Sequence, residues 1–412
     1  MRCNPRFPWF LAGSLISLAS VADEHQANLP VLHFDGFGTL GVVHSSEEDA
    51  DFVSSLTQNK GAGHSDDWSA GVDSRIGLQV TAILTEQLSA VVQVVSEQRY
   101  DASNSPVLEW ANVKYDITPD FSLRAGRIRL PTLLAAAYRK VGYVNPWVRP
   151  PLVIYNMLPI TSNDGVDASY RMPVGAAVAT LQAFYGRRDF RVPEFGELNA
   201  RDTVGLFGTV ELGDAIVSGG YLQTDVRIDA ANELFDQFRQ FGDAGTAIAD
   251  RYEVDGSTFS LWTVGGSYDP GDWFVRGEWG RRHTRAFPGT AMGWYGSGGY
   301  RIGQFTPYAT IGQRIRVGRT SDPGLDVAML PPPTREFAAA LNAGLNAALH
   351  SDEYDSLSIG TRWDFMRNVS FKLQLDHIRL DAGSQGDLAN AQPGFRPGGN
   401  FNVLSATVDF VF

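Results

Sequence analysis

Residues 68–84 read WSAGVDSRIGLQVTAIL, and the chain closes with FNVLSATVDFVF over residues 401–412. In the first stretch Val72, Ser74, Ile76, Leu78, Val80, Ala82 and Leu84 share one parity, while Asp73, Arg75, Gly77, Gln79 and Thr81 share the other. A period of two with the charges confined to one face puts one side of a strand against oil and the other against water. The split recurs late in the chain. Leu357, Ile359, Trp363 and Phe365 oppose Ser358, Arg362 and Asp364, and Phe371, Leu373 and Leu375 oppose Lys372, Gln374 and Asp376. In the closing stretch Leu404, Ala406, Val408, Phe410 and Phe412 fall together. Many such segments are about ten residues long, the length of a tilted membrane strand.

Composition narrows the alternatives. Residues 1–22 carry Arg2 and Arg6, an apolar stretch, and Ser20-Val21-Ala22, which predicts a secretory signal cleaved after Ala22 and a mature chain of 23–412. The single cysteine, Cys3, lies inside that signal, so disulfides, thiolate metal sites and cysteine catalysis are excluded from the mature protein. Removing Arg2 and Arg6 leaves 32 of the 34 basic residues against 46 acids, a net charge of −14, which argues against a nucleic-acid partner. No later apolar run is long enough for a membrane helix, which leaves a soluble export or a closed barrel, the one strand architecture that crosses lipid.

Turn formers cluster at 85–87, 118–120, 173–175, 213–214, 270–271, 303–304 and 367–368. Long polar stretches lie between them at 45–67, 101–106, 130–165, 187–201, 226–256, 283–292, 319–353 and 381–399. Seven turns and eight loops predict an all-β fold: a transmembrane antiparallel barrel of about sixteen strands, both termini at the short-turn end. Aromatic pairs flank the turns: Tyr115 and Phe121, Tyr268 and Trp273, Tyr300 and Phe305, Phe365 and Phe371, with Phe412 at the end. Rings at strand ends make the girdle of a lipid interface.

With this layout the chain resembles the trimeric Gram-negative porins, the general diffusion family, over residues 33–412. The local carriers are Phe37-Gly38-Thr39-Leu40-Gly41, Asp73-Ser74-Arg75-Ile76-Gly77, the segment 129–150, Thr306-Pro307-Tyr308-Ala309-Thr310, Trp363-Asp364-Phe365 and the terminal Phe412. The resemblance implies an outer-membrane homotrimer in contact with lipid and lipopolysaccharide, and a third loop, 130–165, folded into the lumen as a constriction.

That loop has an unusual charge pattern. From 121 to 163 there is no acid, while Arg124, Arg127, Arg129, Arg139, Lys140 and Arg149 are all basic. Cations at the narrowest point would select anions; the plainer alternative is that they pair with acids elsewhere, bind lipopolysaccharide phosphates or lie in a subunit interface. Porins of this family set acids on the third loop against a basic wall, and this chain departs from that pattern, since Asp164 is the loop's first acid. Parity puts Arg75 and Arg124 on the wall, with Arg139, Lys140 and Arg149 on the loop. Asp73, Lys114, Arg362, Asp364, Lys372 and Asp376 complete the pore-lining candidates. Arg127 and Arg129 take outward parity unless Gly126 permits a bulge, and become interface candidates.

Tyr138, Tyr143, Trp147, Tyr155 and Pro150-Pro151 are expected to pack and stiffen the loop. Gly36-Phe37-Gly38-Thr39-Leu40-Gly41 matches a dinucleotide fingerprint literally, but no helix follows and it reads as the first strand. Asp376 and His377 are adjacent and point to opposite faces; His33 and Asp35 share a face without a nucleophile motif. Helices are expected within the long loops at 334–350 and 232–250. The reading is therefore a passive channel without catalytic residue, cofactor or metal, passing small hydrophilic solutes and favouring anions. The alternatives are a channel specific for an acidic nutrient, an outer-membrane barrel enzyme, and a soluble exported binding protein.

Overall fold

The computed structural model describes residues 30–193, 196–253, 257–284, 289–349 and 351–412; the expected signal lies outside them. Sixteen barrel strands, numbered in chain order, begin with β1 Val31–Ser45, β2 Arg75–Ile83, β3 Leu88–Glu97, β4 Val107–Thr118, β5 Phe121–Arg129 and β6 Ser162–Val174. They continue with β7 Ala177–Val192, β8 Gly196–Leu212, β9 Ala215–Ile228, β10 Ser257–Tyr268 and β11 Trp273–Thr284. The last are β12 Thr290–Tyr300, β13 Phe305–Val317, β14 Tyr354–Met366, β15 Val369–Leu380 and β16 Gly399–Val411. Each pairs antiparallel with the next, and β1 closes the ring by pairing with both β2 and β16. All seven expected turns separate consecutive strands. The expected loop at 187–201 is a correction: β7 runs on to Val192 and β8 starts at Gly196, so this hairpin projects as strand.

Strand parity decides which face each residue takes. Phe410 and Phe412 lie outward over Gly38 and Gly36, where a Cβ would come 2.3 and 2.2 Å from the rings. The flat glycine backbone is thus covered by aromatic surface, a device that pins strand register. Outward Leu78, Trp262, Val264, Trp279 and Ile359 are exposed, as a lipid-facing surface requires. The opposite parity is buried polar: Asp409, Thr407, Ser405, Lys372, Gln374 and Arg314 face inward.

The largest apolar core lies inside the barrel. Leu130, Leu133, Trp147, Val153, Ile154, Tyr155 and Met157 of the long third loop pack with inward Ile128, Phe184, Leu222, Leu261, Tyr295 and Tyr308. A second core sits beyond the rim. Helices Asp229–Arg239, Gly242–Tyr252 and Pro332–Ala348, from the fifth and seventh loops, bury Phe235, Phe238, Ile248, Leu341 and Leu345 against Leu198 and Ile228. The proline-started helix after Pro331 and the two helices over the expected 232–250 are both where a period of 3.6 resumes in the sequence.

Candidate functional site

The loop between β5 and β6, 130–161, turns into the barrel and bonds inward residues of the far wall. Leu134 N donates to Glu278 Oε2 at 2.8 Å, Trp147 Nε1 to Ser297 Oγ at 2.8 Å, and Val148 N to Gln374 Oε1 at 3.1 Å. Thr263 Oγ1 donates to Thr132 O at 2.7 Å, and Arg314 to Val153 O and Leu152 O at 3.0 and 2.6 Å. The short helix Leu152–Tyr155 follows Pro150-Pro151 and lies over Gly293, where a Cβ would sit 2.5 Å from Val153 O. Only glycine leaves room there.

Three cations lock the middle of this loop. Arg149, 5% exposed, reaches Asp73 at 2.5 and 3.0 Å, Asp376 at 3.0 Å and Ser405 Oγ at 2.6 Å. Burial opposes its charge, but Asp73 and Asp376 outweigh burial and hold it firmly protonated. Lys372 donates to Gly142 O at 2.6 Å and Trp147 O at 2.8 Å while pairing Asp409 at 3.0 Å. Arg362 binds Tyr143 O and, at 2.7 Å, Asp364. Asp73, Arg149, Lys372 and Asp376 are therefore sealed between loop and wall, which corrects the expectation that they line open space. The cause is the loop itself: its carbonyls and Arg149 are the partners that the wall charges need once water is excluded.

Loop residues 136–144 are half-exposed and meet the opposite wall. Lys140 Nζ lies 2.6 Å from Glu97 on β3 and 2.9 Å from Glu109 on β4. Arg75 lies 3.7 Å from Glu97, and Arg124 Nε 3.0 Å from Asp167. Lys114 pairs Asp116 at 2.7 Å, nearer the short turns. Arg139 stacks on Tyr155 at 5.6 Å, and among the described residues no carboxylate pairs with it. Arg127 grips Asp164 at 2.6 and 2.8 Å.

Arg129, the last residue of β5, keeps an unbroken register with β6 beside Ser162, and its Nε is buried. This end of the loop thus gathers Arg75, Arg124, Arg139 and Lys140 around Glu97, Glu109 and Asp167. Four cations face three carboxylates.

Several interior groups escaped the sequence reading. Glu278 accepts from Tyr155, Tyr295 and the Leu134 amide at 2.6 to 2.8 Å, and Asp352 binds Arg282 at 2.6 Å and lies 3.6 Å from Arg314. Parity against Trp273, Val275 and Trp279 would have placed Arg276, Glu278 and Arg282 inward. Glu109 carries no such signal, because β4 shifts register against β3 between Gln93 and Val94. Among the described residues no group of His, Cys, Asp or Glu is arranged to hold a metal ion.

A closed sixteen-stranded barrel with short turns at one end, long loops at the other and a loop packed inside has the fold of the Gram-negative outer-membrane porins. No protein-family model matches the chain, and no curated protein is similar to it in sequence. Solved structures are similar in fold. The anion-selective porin from Comamonas acidovorans superposes at TM-score 0.54 with 12% identity, over 93% of this chain and all of that one. The outer-membrane channel DcaP of Acinetobacter baumannii gives 0.55 with 12% identity, over 95% of this chain and 100% of that one. Salmonella typhi OmpF, in complex with daunomycin, gives 0.53 with 13% identity, over 93% and 100%.

Proposed function

We propose that this protein is a passive outer-membrane channel for small hydrophilic solutes that favours anions. The observation that supports the reading is the excess of one positive charge where loop 136–144 meets β2–β5. Low-dielectric walls focus the field of such a cluster, and a ring of one sign in a narrow pore filters ions by sign. Arg75, Arg124 and Arg139 would line the passage, with Lys140 partly neutralised by its two glutamates. The similar fold of a porin named as anion-selective agrees with this reading. By likeness to the trimeric porins the working unit would be a homotrimer, with Arg127 and its Asp164 partner as candidates for a subunit contact.

Transport of this kind makes and breaks no covalent bond. The test is the reversal potential of the purified protein in a planar bilayer under a salt gradient. Anion selectivity is expected, and the triple variant R75Q/R124Q/R139Q should shift the potential toward cations. A cation-selective wild type, or an unchanged potential in the triple variant, would overturn the assignment.

A further inference from the structure

The outer face of β9–β12 carries a polar break that channel function does not use. On β11, Trp273, Val275, Trp279 and Arg281 share the outward parity, since Arg276, Glu278 and Arg282 point into the lumen. Register places Arg281 beside Trp262 on β10 and Met292 on β12, with Tyr221 of β9 beside Trp262 at 4.3 Å between ring centres.

The row one step toward the short turns is apolar: Val264, Trp279 and Trp294. The row one step toward the loops is polar: Gln223, Ser260 and His283, with Thr290 hydrogen-bonded to His283 at 2.8 Å. Eight residues separate Arg281 from the girdle residue Trp273. At about 3.3 Å per residue and a tilt of about 40° they span about 20 Å, most of the apolar band of such a barrel. Arg281 thus stands where hydrocarbon gives way to headgroups on the long-loop side.

It also stands alone. Two outward arginines nearer the loops are neutralised, Arg201 by Asp189 and Arg379 by Asp355. Arg281 is exposed, and among the described residues no group pairs with it. An uncompensated guanidinium at the edge of hydrocarbon is costly unless an anion meets it, and a planar five-donor fork matches a phosphate.

We infer that Arg281, framed by Trp262, Trp279 and Trp294, binds the phosphate of an outer-leaflet glycolipid. The tryptophan faces give its acyl chains and sugar rim a flat apolar seat, and the polar row above accepts its hydroxyls. The inference rests on the membrane reading of the fold and is independent of ion selectivity.

The test is native mass spectrometry of the folded, detergent-solubilised protein titrated with phosphorylated lipid A, dephosphorylated lipid A or phosphatidylglycerol. Wild type should retain phosphorylated lipid A best, and R281Q should lose about fivefold of that affinity. R281K should keep part of it, and the control R379Q should keep all of it. Unchanged binding in R281Q would overturn the site, and an equal loss toward phosphatidylglycerol would overturn its assignment to a glycolipid. Conductance of R281Q should match wild type. Arg281-dependent lipid binding by a protein without conductance would sink the channel reading and leave this one standing.

Discussion

Arg149 shows how one side chain converts a surface loop into an internal part. Its guanidinium satisfies Asp73, Asp376 and Ser405 at once, so removing it strands two buried carboxylates. Breaking a buried pair in this way costs about 3–5 kcal/mol. We expect R149A to release loop 130–161, seen as protease cleavage within the loop and a larger, noisier conductance; a variant with a resistant loop and wild-type conductance would refute the tether. Asp352 gives a pH-dependent contact outside the membrane strands. Burial opposes its ionisation, but Arg282, Arg314 and Arg316 outweigh that and lower its pKa to about 2. A depressed carboxyl stabilises fully above its ordinary value of 3.8 and loses that contribution as pH falls through about 2. Hydrogen exchange around 351–353, corrected for intrinsic rates, should therefore quicken between pH 4 and 2 in wild type and change much less in D352N.

Among the elements, the helices beyond the rim form a module with its own core. Phe238 and Leu345 are almost fully buried there, and F238A or L345A should cost the module about 2–5 kcal/mol. Cleavage between 229 and 252 should rise while the barrel keeps its heat-resistant migration; loss of both together would show that cap and barrel fold as one unit. The strands, the turns and the helical stretches were legible because each rests on local rules: alternation, turn chemistry and proline-started periodicity. The interior site was legible only in part. Parity located Arg75 and Arg124, yet it missed Glu109, because β4 shifts register against β3 beside it. It also could not tell an open wall from a covered one, since Lys372 and Asp376 have the same alternation as Arg75 and Gln79. Which inward residues meet water depends on where loop 130–161 lands, and that is fixed by contacts with residues far away in sequence.

For the molecule as a whole, the two faces of one sheet serve two solvents. The outer face meets lipid with exposed apolar rows and aromatic ends; the inner face is a polar shell wrapped on an apolar plug. If the barrel conducts as proposed, the loop packed inside it should keep conductance small, and an R149A loop that swings out should raise it severalfold. The seam between β1 and β16 carries a further consequence. Thr39 and Asp409, bonded across it, lie 370 residues apart in the chain, and Gly36 and Phe412 exchange backbone hydrogen bonds beside them. A contact of such high sequence separation costs chain entropy before it gains energy, so closure of this seam should be a slow step of folding. Until then both edge strands present unpaired backbone and oil-seeking side chains to any other chain nearby. Pairing of β16 with β1, with Phe410 and Phe412 covering Gly38 and Gly36, is the latch that ends that exposure.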